Sequence, residues 1–213
     1  MQKNKCIIVG AGDFEECELK VERGDYVIAA DGGYKHLNSL GIIPDLLMGD
    51  FDSLAHVPKL KNIQRYKSEK DETDTALAIE HGIKLGYKLF HLYGCTGGRL
   101  EHTIANIQCL VGLSRRRMRG YIIAREQVIT AITNDRLRFD SSCTGYISAF
   151  AYGGDAKGVY EKGLKYPLEN ATIHDDVPLG VSNFFSGGQS SVSVADGTLI
   201  IMWNRNEKAE LDA

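Results

Sequence analysis

The stretch Cys6-Ile7-Ile8-Val9-Gly10-Ala11-Gly12 decides the fold class of the N-terminal half. Four consecutive apolar residues that end at a glycine turn are typical of a parallel strand buried on both faces. Gly10 and Gly12 resemble the start of a dinucleotide-binding fingerprint, but Glu15 stands where its third glycine belongs. The stretch therefore predicts a buried strand with a tight strand-to-helix turn, and it is weak evidence for a dinucleotide site.

Similar apolar runs recur through the first 127 residues, and segments of helical spacing separate them. The runs are 26–30, 42–47, 89–93 and 121–124, and the helical segments are 34–40, 76–85 and 104–113. Residues 63–66 alternate as an edge strand does. This order predicts an α/β domain with a parallel sheet over residues 1–127.

The second run leads into Met48-Gly49-Asp50-Phe51-Asp52-Ser53-Leu54. If the backbone stays extended, Asp50 and Asp52 lie on one face. Two carboxylates ~4 Å apart repel each other by roughly 4 kcal/mol at an effective dielectric near ~20, and a cation removes that cost. Oxygen pairs of this kind suit Mg²⁺. The alternative is that one Asp caps the next segment and the other is solvated.

A second acidic stretch, Asp71-Glu72-Thr73-Asp74, stands before a helical segment. Asp71 as N-cap with Asp74 at the third helical position resembles a capping box. The i, i+3 spacing also directs both carboxylates to one place in front of the helix. Because a cap needs only one acid, the stretch favours a metal or phosphate site.

Gly94-Cys95-Thr96-Gly97-Gly98-Arg99 connects a strand to a helix. Backbone N–H groups and the helix dipole make such a loop an anion site, and Arg99 adds a bidentate donor for phosphate. No Gly-Lys-Ser/Thr follows, so the loop is not a Walker A motif. Glu101, His102 and Asn106 lie on overlapping faces of the helix start; the alternative for His102 is a solvated helix residue.

From Val128 onward, short alternating segments separated by Gly, Asp and Ser predict a small antiparallel β-sandwich or barrel over residues 128–213. The expected strands are 128–133, 137–139, 146–152, 158–160, 192–194 and 199–203. Residues 180–185 mix a hydroxyl, an amide and aromatic rings in a predicted loop. Such a mixture suits a heteroaromatic ligand, with a plain turn as the alternative.

Bulk properties exclude several classes of protein. A net charge of −3 gives no general attraction to nucleic acid or to an anionic membrane surface. The five cysteines include no CxxC pair, so a zinc site or a disulfide framework is not expected, and a reducing cytoplasm suits them best. No apolar window approaches the ~20 residues that span a bilayer. The first apolar run, Cys6–Val9, is too short for the apolar core of a secretory signal, so no such signal is expected.

The acidic stretches and the glycine loop converge in a parallel sheet, because its strand ends share one edge. Asp31 also stands at such a strand end, before Gly32 and Gly33, with a helix-capping turn as its alternative. Clustered acids beside an anion loop suit Mg²⁺ bridging to a polyphosphate. No GxSxG and no Cys with an evident His partner supplies a nucleophile, which leaves phosphoryl or pyrophosphoryl transfer.

Taken together, these motifs resemble the thiamine pyrophosphokinase family over nearly the whole chain and in the right order. They are ADGG (30–33), GDFDS (49–53), DETD (71–74), GCTGGRLEH (94–102) with Asn106, GLKYPL (163–168) and VSN (181–183). GDFDS, DxTD and GGRxxH are specific in combination, although each alone is not.

The resemblance implies a Rossmann-like N-terminal domain, a C-terminal β-sandwich and a homodimer with active sites at the subunit interface. It implies transfer of pyrophosphate from ATP to the thiamine hydroxyl, giving thiamine diphosphate and AMP. Metal ligands are expected at Asp50, Asp52, Asp71 and Asp74; catalytic roles at Asp71, Asp74 and Arg99; and thiamine contacts at Ser182 and Asn183. ATP contacts are expected at Asp31, Gly32, Gly33, Thr73, Gly97, Gly98, Arg99, His102 and Asn106.

This chain departs from the family at Glu101, where Asp is usual; the charge is kept on a longer side chain. Three other functions stay open on the residues alone. They are a pyrophosphokinase for another alcohol, such as a hydroxymethylpterin; a Mg-nucleotide-binding regulator without catalysis; and a metal-dependent phosphoesterase.

Overall fold

The computed structural model describes residues 4–14, 19–51, 61–66 and 72–206. The chain divides into two compact units. The first comprises Met1–Cys109 and Gly120–Arg125, and the second comprises Leu110–Arg119 and Glu126–Ala213. Each unit has its own buried apolar residues.

The first unit is an α/β structure. Its elements are β1 Cys6–Val9, β2 Tyr26–Ala30, α1 Gly33–Ser39, β3 Leu46–Gly49, β4 Ile63–Arg65, α2 Asp74–Lys84, β5 Leu89–Tyr93, the first part of α3 Leu100–Arg115, and β6 Arg119–Ile123. The strand order is β6-β5-β1-β2-β3-β4. The pairs β5–β1, β1–β2, β2–β3 and β3–β4 are parallel.

The buried central strand explains why the apolar runs of this half do not alternate. All four residues of β1 are fully buried, because neighbouring strands cover both edges and α1 and α2 pack against β1 and β2. At the sheet edge, Ile63–Arg65 is exposed, in agreement with the predicted edge strand.

The second unit is built from antiparallel strands. They are β7 Gln127–Thr133, β8 Arg136–Phe139, β9 Tyr146–Ala151, β10 Ala156–Lys162, β11 Leu168–Ile173, β12 Asn183–Phe184, β13 Ser190–Ser193 and β14 Thr198–Asn204. One set runs β12-β9-β14-β7 and the other runs β11-β10-β13-β8. Every pairing within the two sets is antiparallel.

Aromatic rings join these two sets of strands. Phe139 on β8 meets Trp203 on β14 edge to face, with ring centroids 5.2 Å apart, and it meets Phe185 at the same distance. Trp203 is only 4% exposed, so its indole packs inside the unit.

Two strands of the second unit, β11 and β12, were not predicted from the sequence. β11 is largely exposed and contains Asn170 at φ +50°, so its apolar alternation is weak. β12 has only two residues, within the segment 180–185 that was predicted as a loop. Neither strand shows a long enough period for its sequence to identify it.

None of the helices in the described ranges is long and apolar enough to cross a membrane.

Candidate active site

The carboxyl ends of four parallel strands lie side by side in the first unit. The register pairs Tyr93 with Val9, Val9 with Ala29, and Ala30 with Met48. The segments that follow these strands therefore line one edge of the sheet in the order β5, β1, β2, β3. At ~4.8 Å between strands, this edge spans about 14 Å from the glycine loop to Asp50.

The turn after β1 and the loop after β5 are held together by backbone hydrogen bonds. Gly12 N–H donates to the Gly94 carbonyl at 2.8 Å, and Asp13 N–H donates to the Thr96 carbonyl at 2.8 Å. A Cβ atom on Gly12 would overlap the Thr96 carbonyl oxygen. The chain bends at residues 10–12 as predicted, but the described residues between β1 and β2 contain no helix, so the strand-to-helix part of the prediction is not confirmed. The glycines here bring two backbones into contact.

The loop after β5 ends in two consecutive left-handed glycines. Gly97 and Gly98 have φ of +77° and +57°, a conformation that non-glycine residues rarely adopt. Helix α3 begins directly afterwards at Leu100. Because the first N–H groups of a helix lack helical partners, this is a suitable place for an anion. We call residues 94–99, together with the turn 10–13, the cradle.

Arg99 projects from the rim of the cradle. Its side chain is 73% exposed, and Nε donates to Glu101 Oε1 at 2.7 Å. This hydrogen bond is the main cause that holds the pKa of the Glu101 carboxyl below its usual value. The pair is solvated, so it costs little to break when Arg99 turns towards an anion. His102 is also exposed, and its N–H donates to the Arg99 carbonyl.

Buried side chains support the cradle from below. Asn106 is 6% exposed, and its Nδ2 donates to the Cys95 carbonyl at 2.8 Å. The Thr75 side chain hydrogen-bonds to the Cys95 thiol, whose pKa burial raises to about 12. The first turn of α2 therefore reaches the cradle, which places Asp74 in the same neighbourhood. Asn106 holds the loop 94–99 in place through its hydrogen bond to the Cys95 carbonyl.

Asp31 and Asp50 follow neighbouring strands. Asp31 N–H donates to the Met48 carbonyl at 2.7 Å, and its Cα lies 3.0 Å from where a Cβ on Gly49 would stand. Gly49 thus allows Asp31 to lie close to the strand that delivers Asp50. Asp31 Oδ1 is buried and has no hydrogen-bond partner among the described residues. Such an oxygen suits a cation or a hydroxyl donor.

The proposed geometry of the GDFDS stretch is wrong. Strand β3 ends at Gly49, and Phe51 has φ of +67° with its ring buried. The backbone therefore leaves the extended conformation at Phe51, and the period-two argument for a shared face does not apply. Asp52 lies outside the described residues.

The predicted cap of α2 is also wrong. Thr73, and not Asp71, is the N-cap: its Oγ1 accepts from Ala76 N–H at 3.2 Å. The helix begins at Asp74, whose carboxylate lies in the first turn and complements the positive helix end. Asp71 lies outside the described residues, so its predicted role stays a prediction.

No group of three His, Cys, Asp or Glu side chains able to hold a metal ion occurs within the described ranges. The donor types on this edge, Asp31, Asp50 and Asp74, are nevertheless hard oxygen ligands of the kind that Mg²⁺ takes. The orphaned Oδ1 of Asp31 is the observation that fits a cation. The predicted ligand set is incomplete without Asp52 and Asp71, and it stays a prediction.

In the second unit, the two residues predicted for a ligand differ in character. Ser182 is exposed at φ +60°, and its N–H donates to Ser148 Oγ at 3.0 Å. Asn183 is 5% exposed and starts β12, which pairs with β9.

The Asn183 amide uses all of its hydrogen-bonding capacity internally. Oδ1 accepts from Tyr166 N–H at 3.0 Å and from Phe184 N–H at 2.8 Å. Nδ2 donates to the Tyr166 carbonyl at 2.7 Å and to Glu161 Oε2 at 2.6 Å. A side-chain amide offers two donors and two acceptor sites, so none is left over.

Glu161 was missed by sequence reasoning. It is 3% exposed on β10, and burial raises the pKa of its carboxyl although the Asn183 hydrogen bond opposes that change. The sequence does carry a signal: Glu161 stands two residues after the buried Val159, where strand alternation calls for an apolar side chain.

Comparisons with known proteins identify the family of this chain. The family model described as the thiamin pyrophosphokinase catalytic domain matches residues 17–122, and the one described as the thiamin pyrophosphokinase vitamin B1 binding domain matches residues 134–199. Among characterised relatives, thiamine pyrophosphokinase of Bacillus subtilis (strain 168) is 29% identical over 183 residues, covering 82% of this chain and 85% of that protein.

Solved structures show the same fold. The chain resembles the thiamine pyrophosphokinase structure from Bacillus subtilis with a TM-score of 0.86 and 25% identity, covering 95% of this chain and 100% of that one. It resembles the structure from Geobacillus thermodenitrificans with a TM-score of 0.83 and 24% identity, covering 96% and 99%. With both family models matched in order along most of its length, the chain belongs to the thiamin pyrophosphokinase family.

Proposed function

We propose that this protein transfers the pyrophosphoryl group of ATP to the hydroxyl of thiamine, forming thiamine diphosphate and AMP. Membership of the thiamin pyrophosphokinase family supports the reaction, and the vitamin B1 binding match supports thiamine as the acceptor. ATP is the co-substrate that this reaction requires.

The cradle is the observation that carries the proposal. Two left-handed glycines, a helix start and an exposed arginine form a place for the phosphates of a nucleotide. In our proposal, Gly97 and Gly98 present backbone N–H groups, Arg99 binds phosphate oxygens, and His102 lies one turn further on. Asn106 acts by holding the loop through the Cys95 carbonyl.

The nucleotide site extends along the sheet edge. We assign Asp31, Gly32 and Gly33 to it because they follow β2, which is next to the glycine turn after β1. Thr73 joins the site as the cap of α2, whose first turn reaches the cradle.

Mg²⁺ is part of the proposal, with Asp50, Asp52, Asp71 and Asp74 as its ligands. When bound, it supplies neutralisation of the phosphate charge. The orphaned Asp31 oxygen supports a cation on this edge. Asp74 contributes a carboxylate from the start of α2, where the helix dipole favours its ionised form.

The chemical step needs charge stabilisation more than covalent help. The thiamine hydroxyl oxygen forms a bond to the β-phosphorus, and the bond from that phosphorus to the bridging α–β oxygen breaks and releases AMP. Arg99 stabilises negative charge on the transferred group. Asp71 accepts the hydroxyl proton, although a loose transition state asks little of a base.

Thiamine is assigned to the second unit, at the segment of Ser182 and Asn183; Ser182 offers an exposed hydroxyl, and Asn183 contributes by holding the backbone because its amide is saturated. A homodimer with active sites at the subunit interface is part of the proposal. The exposed apolar side chains of Val177, Leu179 and Val181, just before Ser182, support an interface there.

The domain assignment follows from these roles. We propose a Rossmann-like catalytic domain over residues 1–127 and a β-sandwich for thiamine binding and dimerisation over residues 128–213. The ring contacts of Phe139 with Trp203 and Phe185 support packing of the two strand sets face to face. A cytoplasmic location stays a prediction.

The decisive experiment measures AMP formation from ATP and Mg²⁺ with and without thiamine. We expect AMP and thiamine diphosphate in equal amounts, and no AMP without thiamine. Activity with a hydroxymethylpterin in place of thiamine would reassign the acceptor. Release of inorganic phosphate or pyrophosphate without an acceptor would indicate a phosphoesterase, and ATP binding without AMP formation would indicate a regulator.

The metal assignment has its own test. Asp50→Asn should lower turnover by at least about 100-fold and weaken the response to Mg²⁺, because it removes a charged ligand. Asp140→Asn, in an exposed turn of the second unit, is the matched control and should leave turnover unchanged. Near-normal turnover of the Asp50 variant would refute the assignment.

A further inference from the structure

We infer that Glu161 is a positioning residue for thiamine, acting through Asn183; the inference rests on the proposed function. Glu161, Asn183 and the backbone of Tyr166 form what we call the Asn183 clamp. The clamp belongs to the second unit, which carries the vitamin B1 binding match.

The role of Asn183 follows from the fact that every hydrogen-bonding group of its side-chain amide is already in use. Both amide hydrogens and both acceptor sites already have partners inside the protein. A direct hydrogen bond to a ligand would require Asn183 to give up a buried partner. Asn183 therefore serves thiamine by fixing the segments around it, and Glu161 fixes Asn183.

The clamp ties two sequence motifs together. It holds Tyr166 of GLKYPL by both its N–H and its carbonyl. Beside it, Lys165 N–H donates to the Phe184 carbonyl at 2.9 Å, and Leu164 forms a bridge with Phe185. Residues 164–166 and 183–185 are thus held in one register.

The surface above the clamp has the chemistry of a heteroaromatic site. The Tyr166 side chain is 58% exposed, and the Phe184 ring lies 4.1 Å from the ring of Tyr146 by centroids. The exposed Ser182 adds a hydroxyl. Aromatic rings beside a hydroxyl suit the pyrimidine of thiamine when the backbone holds them in place. The pyrimidine would share the Tyr166 and Phe184 rings with the Lys165 ammonium, which lies 5.3 and 5.4 Å from their centroids.

The choice of glutamate at this buried position supports the inference. Leucine would match the strand alternation and avoid burying a carboxyl, yet it would leave a buried N–H of Asn183 without an acceptor. Burial raises the pKa of Glu161, which shows that its ionised form is desolvated at this position. The hydrogen bond to Asn183 offsets part of that desolvation.

The test compares Glu161→Leu and Glu161→Gln in steady-state kinetics. We expect Glu161→Leu to raise KM for thiamine by roughly tenfold, the cost of one unsatisfied buried donor, while KM for ATP stays within about twofold. Glu161→Gln keeps an oxygen acceptor and should stay within about twofold of the wild type in both constants. Glu169→Leu, at an exposed position of β11, is the control.

A second variant covers a failure to fold. Glu161→Asp shortens the side chain by one methylene and breaks the 2.6 Å contact while it keeps the carboxyl, so it should also raise KM for thiamine selectively. An unchanged thiamine KM in folded Glu161→Leu or Glu161→Asp, or an equal rise in both KM values, overturns the inference.

Failure of the proposed function is seen separately, in the wild type. If the wild type forms no AMP with thiamine, titration calorimetry with thiamine and with ATP replaces KM in the same variants. Selective loss of thiamine binding in Glu161→Leu then supports the positioning role without the reaction. A wild type that binds no thiamine overturns both.

Discussion

The cradle and the Asn183 clamp each hold two separate stretches of backbone together, but they do so with different chemical groups. In the cradle, backbone meets backbone, and glycines are needed because a Cβ on Gly12 would overlap a carbonyl oxygen. In the clamp, two stretches of backbone are joined by a buried amide and a buried carboxyl. An atom added at Gly12 or Gly94 of the cradle therefore meets a backbone carbonyl oxygen, whereas the clamp depends on its hydrogen bonds being kept.

This difference predicts how each region fails. Adding a side chain at a tightly packed glycine in the first unit displaces the backbone, so the stability of the fold should fall first. Removing a polar side chain in the second unit does not block the backbone, but it leaves a buried hydrogen-bonding group without a partner. The positions of the ligand-binding segments should therefore be affected before the fold is. The variants below separate these two kinds of failure.

The largest effect is expected from Gly33→Ala, at the start of α1. Its Cβ would overlap the Val9 carbonyl oxygen, and all of the nearest atoms belong to the backbone of Val9 and Gly10, which cannot move aside as a flexible side chain could. We expect a loss of at least about 3 kcal/mol in unfolding free energy, measured by urea denaturation. Gly112→Ala in α3 is the control; nothing lies within 4 Å of its Cβ, so it should stabilise by about 0.5–1 kcal/mol. Equal stability of the two variants would contradict the steric account.

The next effect concerns chemistry at the rim of the cradle. Arg99→Ala should lower kcat/KM for ATP by about 100-fold, because a charged donor to the phosphates is lost, with little change in thermal stability. Glu101→Gln removes the negative charge from the 2.7 Å contact to Arg99 but keeps an oxygen acceptor, and it should change kcat/KM by no more than about twofold because solvent screens this pair. If Glu101→Gln is as damaging as Arg99→Ala, the carboxylate has a role of its own.

A smaller loss is expected when the clamp loses its donors. Asn183→Asp keeps the shape but turns the contacts with Glu161 Oε2 and the Tyr166 carbonyl into acceptor–acceptor contacts. We expect a loss of about 2 kcal/mol in unfolding free energy. Asn134→Asp is the control, since its Oδ1 accepts from Gly197 N–H and aspartate retains that bond. A stable Asn183→Asp would mean that the amide hydrogens are dispensable.

The smallest effect is a change in pH dependence. The pKa of Glu161 is raised above its usual 4.5 in the folded state, so folding favours its protonated form. Its stabilising contribution is complete below pH 4.5 and is lost as pH rises through the folded pKa. Glu161→Gln should therefore gain stability relative to the wild type as pH rises, by less than the loss in Asn183→Asp. Urea titrations from acid to neutral pH measure this difference, and parallel curves would place the Glu161 carboxyl in a solvated environment.

Local patterns in the sequence predicted most of the fold. The unbroken apolar run of β1 identified a buried parallel strand, and alternation identified six strands of the second unit. The glycines at 94–98 and the helix after them predicted an anion loop. These signals are readable because burial on one face, on both faces or at a tight turn imposes a period or a residue type within a few positions.

What the sequence alone determined is thus most of the elements, with β11 and β12 as exceptions, together with their order and the chemical types at the strand ends. Only the tertiary structure decided which polar groups meet: Asn183 finds partners 17 and 22 residues away, and Phe51 leaves the extended conformation while its ring is buried. Hydrogen-bond partners far apart in the chain leave no period in the sequence, because packing of whole strands brings them together. For that reason the sequence could predict Asn183 as a thiamine contact but could not show the four hydrogen bonds that its amide makes inside the protein.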